Sequence, residues 1–143
     1  MTHEDAGHYA AKHPDRVVDQ EIKKHLEKSS EDGLITCSGA HKVAKNIGIT
    51  PEEAGVQIDL MELRLKDCCL GLFGYEPAGK NFDDNVEISS SFKDALEKIS
   101  PDGRTTCLQC WKLAADLKIK RIDVGSACEK LGIKIKKCQL GAF

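Results

Sequence analysis

Four of the seven cysteines recur at a fixed separation: Cys37 and Cys68 precede Cys107 and Cys138 by 70 positions. Thiolates are soft ligands, so two such pairs acting together would suit zinc or an iron–sulfur cluster. Cys107-Leu108-Gln109-Cys110 adds a C-x-x-C motif, and at a helix N-terminus the dipole would lower a thiol pKa, as in redox proteins. Core packing is the competing reading, because free cysteine is among the most buried residue types. The first copy favours it, with Ala40 where Cys110 stands and no thiol to match Cys128. The default expectation is therefore no cofactor, with Cys37, Cys68, Cys107 and Cys138 the candidate ligands if a metal is held.

His3, His8 and His13 are spaced five residues apart. No Cys or carboxylate pattern accompanies them, so a loose polar terminus is expected in place of a metal tail. No glycine-rich phosphate loop and no nucleophile–base constellation is present, and no catalytic role is expected. His41 falls in register with Trp111, the single tryptophan. That pairing indicates a half-buried packing position, with Trp111 a core or interface anchor.

The elements that must position these residues are duplicated. Aligning residues 17–73 with 87–143 gives 18 identities in 57 positions without a gap, against roughly 3 to 4 expected from ordinary residue frequencies. Asp32-Gly33, Thr36-Cys37, Ala44, Ile49, Gly55 and Leu70-Gly71 are all matched 70 residues on. Residues 1–16 read as a polar N-terminal segment and 74–86, with Gly74, Pro77 and Gly79, as a linker. In each copy an apolar stripe (Val18, Ile22, Leu26; Ile88, Phe92, Leu96) predicts a first helix. Ser89, Ser90 or Ser91 can cap the second copy's helix. A brief strand around Thr36 and Thr106 and a second helix from Cys37 and Cys107 follow. Gly48-Ile49-Thr50-Pro51 supplies a stop, a cap and a first-turn proline for a third helix. Alternating Leu63-Arg64-Leu65-Lys66 and Ile133-Lys134-Ile135-Lys136 predict a half-buried strand after it.

The run Val43-Ala44-Lys45-Asn46-Ile47-Gly48-Ile49-Thr50-Pro51-Glu52-Glu53-Ala54 resembles the helix-turn-helix of bacterial transcription regulators. Alanine permits a close helix crossing, and glycine lets the chain reverse. With the preceding helix and trailing strand, each copy is similar to a winged-helix domain with a reduced wing. The second copy departs from the pattern, with Lys118 at the turn glycine and no capping threonine. The expected fold is mainly α with short β-strands, in two tandem winged-helix-like repeats.

Charge decides how that resemblance is used. The first copy carries seven Lys/Arg against ten Asp/Glu, the second eleven against seven. The third helix of copy 1, from Thr50 to Asp59, is acidic and unsuited to a DNA groove. Copy 2 offers Lys118, Lys120, Arg121, Ser126 and Lys130 around its helix, and Lys134, Lys136 and Lys137 on its strand and tail. The resemblance thus implies a DNA-binding transcriptional regulator with repeat 2 on double-stranded DNA. A protein-interaction or adaptor module, or a homodimer, is the alternative. The net charge of −2 and a sequence pI of about 6.2 do not favour a dedicated DNA binder. No apolar run approaches the ~20 residues of a membrane span. No basic and apolar leader is visible, which predicts a cytoplasmic protein with reduced thiols.

Overall fold

In the computed structural model residues 8–143 are described; His3 lies outside the described residues. The chain is mainly helical with a few short strands. None of the described helices is long and apolar enough to cross a membrane. The elements are α1 (Gln20–Ser29), β1 (Leu34–Thr36), α2 (Cys37–Ile47), α3 (Pro51–Leu60) and β2 (Arg64–Lys66), then α4 (Ser90–Lys98), β3 (Arg104–Thr105), α5 (Cys107–Leu117), α6 (Arg121–Leu131) and β4 (Lys134–Ile135). The second five follow the first at the same 70-residue offset, within a residue or two at some ends.

Local chemistry sets the boundaries. The Asp19 carboxylate accepts from the backbone N–H groups of Glu21 and Ile22 and starts α1. Ser89 does this for α4 through the Phe92 N–H. Thr36 and Thr106 each accept from the amide three residues on, so the repeated threonine is the cap of the second helix as well as the end of the strand region. Gly48 closes α2 in the left-handed conformation at φ 72°, and Thr50 with Pro51 opens α3. In the second copy Lys118 adopts that same left-handed conformation at φ 56°, and Lys120 caps α6 without a side-chain bond.

Each trailing strand pairs in parallel with the strand before the second helix, Leu34 opposite Arg64 and Arg104 opposite Lys134. The strand is thereby tied to its own core, and neither copy has a wing hairpin. Leu65 and Ile135 point inward, and Arg64 and Lys134 point to solvent, as alternation predicts.

Two compact units result, and neither is a contiguous repeat. Unit 1 comprises the chain up to Cys68 together with Gln139–Phe143; unit 2 comprises Cys69–Cys138. Each unit thus takes the Leu-Gly segment that follows the other copy's last strand. Within unit 1 the Leu140 backbone lies on Gly55 of α3, and within unit 2 the Leu70 backbone lies on Gly125 of α6. The cores centre on Leu26, Ile35, Ala40 and Ile58 in unit 1 and on Leu96, Cys110, Val124 and Cys128 in unit 2.

Candidate nucleic-acid interface

The third helix is the element expected to face DNA, and it is the most enclosed helix of each unit. Residues 54, 55 and 57–59 of α3 and 124–128 of α6 are buried. In unit 1 the covering segment is the N-terminal stretch. From Tyr9 onward it is fastened to α3 and the turn after it, where the sequence led us to expect a loose terminus. The Glu62 carboxylate accepts from the backbone N–H groups of Tyr9 and Ala10. The buried Asp59 Oδ2 lies 2.8 Å from His13 Nε2 and 3.3 Å from Lys12 Nζ. Arg16 donates to Glu53 at 2.7 Å, and the buried Gln57 accepts from the Asp19 N–H at 2.9 Å. His8 is exposed, so the spaced histidines do not act as a set.

Unit 2 builds the same cover from different residues. The Asp83 N–H donates to the Ser126 hydroxyl at 2.8 Å, and Val86 is buried. Ser126 therefore leaves the group of DNA-contacting candidates: it is 3% exposed and its hydroxyl is engaged. The segment expected as a linker supplies this cover.

The remaining candidates are on the surface. All eleven Lys and Arg of residues 87–143 are exposed, Lys118, Lys120, Arg121, Lys130, Lys134, Lys136 and Lys137 among them. Among the described residues none of the eleven has a carboxylate oxygen within 4.0 Å, whereas in unit 1 Lys12, Arg16 and Lys23 each do. Two clusters stand out. At the α5–α6 turn the Arg121 guanidinium lies 3.6 Å from the Trp111 ring centroid. Stacking there holds the cation in place while Arg121 stays exposed. Trp111 is half-buried, an anchor for Arg121.

The second cluster surrounds the parallel strands. Arg104 sits directly across from Lys134, an arrangement of like charges that is unfavourable without a counter-ion. Beside them Lys98, Arg104 and Lys136 line an open cavity of about 340 Å³ at the start of α5. Lys98 and Arg104 were not among the sequence candidates. The signal for Arg104 was available, because the first copy has Leu34 at that position, and Glu31 where the second has Pro101.

The cysteines form no disulfide, and six of the seven are buried. Cys107 donates its backbone N–H to the Lys137 carbonyl at 2.9 Å, so Cys107 and Cys138 lie at one end of the β3–β4 pair. Cys37 and Cys68 follow β1 and β2 in the same way in unit 1. Among the described residues no three His, Cys, Asp or Glu side chains are grouped to hold a metal ion. The C-x-x-C motif divides: the side-chain partners of Cys110 are Cys128 and Thr105. Its hydrogen bond to Cys128, reinforced by burial, pushes the Cys110 thiol far above its ordinary value. The same bond lowers the Cys128 thiol against its burial, so the two thiols act as one buried pair, and the partner of Cys110 lies outside the C-x-x-C motif.

Compared with known proteins, the chain matches no family model, no curated protein and no solved structure.

Proposed function

We propose that the protein is a DNA-associated protein of transcription-regulator type, built of two reduced winged-helix-like units, with unit 2 on the duplex. The observation that carries this reading is the charge of residues 87–143: eleven exposed cations, none within 4.0 Å of a carboxylate among the described residues. A polyanion offers such a surface the counter-charges that the protein does not supply itself.

The mode of contact follows from the burial of α6. A helix enclosed at 124–128 has no free face for the major groove. Its exposed ends and the strand pair reach phosphates instead, with Lys120 and Arg121 at the helix start and Arg104, Lys134 and Lys136 along the strands. Contacts of that kind position a protein without reading sequence, so affinity is expected to depend steeply on salt and weakly on sequence. Regulation would then come from what else the chain binds.

Fluorescence anisotropy of a labelled mixed-sequence duplex between about 50 and 200 mM salt tests this, the logarithmic slope giving about 0.9 per phosphate neutralised. Lys134→Glu/Lys136→Glu should lower the slope by about 2, and Lys120→Glu/Arg121→Glu by a similar amount. An absence of binding at the lowest salt by the folded protein would sink the reading.

A further inference from the structure

Bordering the basic α5–α6 turn, unit 2 has an open groove of about 760 Å³ between that turn and residues 83–92. Phe92, Leu117 and Ile119 give it an apolar wall, and Asp83, Glu87 and Asp123 an acidic rim; no Lys or Arg lines it. Leu117 is among the few large apolar side chains of the chain that are exposed, at 39%.

Unit 1 has the same groove, about 730 Å³, lined at the equivalent positions by Ile22, Ile49 and Glu53. There the groove carries its own cation: Arg16 donates to the Glu53 carboxylate at 2.7 Å. The second copy keeps the acid as Asp123 and replaces the arginine by Val86. Val86 is buried and Asp123 is half-buried, with no cation within 4.0 Å among the described residues. Unit 1 therefore displays, within the same molecule, the group that the unit 2 groove lacks.

We infer that the unit 2 groove binds an extended segment of a partner protein that presents an arginine beside a large apolar side chain. The arginine takes the place on Asp123 that Arg16 holds on Glu53, and the apolar residue covers Leu117 and Phe92. A guanidinium is matched to a carboxylate in geometry as well as charge. The openness of the groove suits a length of chain better than an enclosed small molecule. The site adjoins the basic α5–α6 turn, but none of its lining residues is a proposed duplex contact and it does not rest on the DNA reading.

The test is the full chain with a panel of fluorescent octapeptides carrying an Arg-Leu core in varied flanks, and the same panel with Glu for Arg. Binding by Arg-Leu peptides only is expected. Asp123→Asn and the exposed Leu117→Ser should each weaken it at least tenfold, and Val86→Arg, which restores the internal pair, should abolish it. Circular dichroism confirms folding of each variant, and Asp123→Asn, which removes an acid beside Lys120 and Arg121, should not weaken duplex binding. The inference is overturned if no Arg-Leu peptide binds wild type up to about 1 mM. It also fails if Glu peptides bind equally, or if Asp123→Asn and Leu117→Ser leave the affinity unaltered.

Discussion

A Cβ placed on Gly55 would stand 1.9 Å from the Leu140 carbonyl oxygen, and one on Gly125 would stand 1.8 Å from that of Leu70. Both neighbours are backbone, so no rotamer change relieves the clash. Alanine gains up to about 1 kcal/mol over glycine in a helix interior, while overpacking a tight core costs about 1–3 kcal/mol and at times more. Backbone against backbone belongs at the upper end of that range. Gly55→Ala and Gly125→Ala are therefore each expected to lose about 2 kcal/mol net in urea unfolding, with the Leu-Gly segment displaced. Unchanged or improved stability would mean the segment is not seated on the helix as described. These residues also explain part of the repeat signature. Gly55 with Leu140-Gly141, and Gly125 with Leu70-Gly71, are the two halves of one contact made twice. Elsewhere the copies diverge inside the core: Ile35, Ala40 and Ile58 of unit 1 stand where unit 2 has Thr105, Cys110 and Cys128, all buried. A smaller, more polar triad replaces an apolar one, with the thiols hydrogen-bonded to one another.

At the level of elements, the covering of α3 by residues 9–19 is held by contacts that can be removed singly. Asp59 is 2% exposed, while its partners Lys12 and His13 are 30% and 22% exposed. Breaking a fully buried pair costs about 3–5 kcal/mol; here the cations can turn to water, so Asp59→Ala should cost only about 1–2 kcal/mol. The more telling readout is proteolysis, since freeing this segment lets the backbone at the already exposed Lys12 and Arg16 enter trypsin. Cleavage there is expected to accelerate in Asp59→Ala and not in Lys24→Ala, and equal rates would show that Asp59 does not fasten the segment. This cover marks where sequence reasoning stopped. Capping threonines, the Gly48 turn and alternating Arg64-Leu65-Lys66 act over one to four residues, so helix starts and strand faces were legible. Asp59 meets His13 across 46 positions, and Gly141 accepts from Lys12 across 129. Neither contact leaves a local periodicity. The even burial of α3 and α6 was a readable hint, because Ala54, Gly55 and Ile58, like Val124, Gly125 and Ala127, put small or apolar residues around most of the helix. The helix-turn-helix pattern fixes the turn and the helix crossing and carries no information on how much of the third helix stays exposed. Among the site candidates, Lys134 and Lys136 stand where alternation put them, and Ser126 was lost to a contact with Asp83 that no local pattern announces.

For the whole molecule the decisive property is how charge is divided, since the net of −2 and pI of about 6.2 describe neither half. Seven cations against ten acids in residues 17–73, and eleven against seven in 87–143, make a chain with opposite ends. The Debye length is about 8 Å near 0.15 M salt, so a polyanion approaching the basic surface is screened from acids farther off than that. Retention on immobilised heparin at pH 7.5 should then exceed what a uniformly charged protein of this pI would show. The informative comparison uses two triple variants of equal net charge. Lys134→Glu/Lys136→Glu/Lys137→Glu removes cations from the unit 2 surface, and Lys24→Glu/Lys28→Glu/Lys42→Glu removes the same number of exposed cations from unit 1. Segregated charge requires the first to elute at much lower salt than wild type and the second close to it. If the two shift alike, retention follows total charge, and the basic surface of unit 2 has no special standing as a polyanion site. A loss confined to the first variant would separate the site from the sum and would place it on the strand surface, not on the buried helix α6.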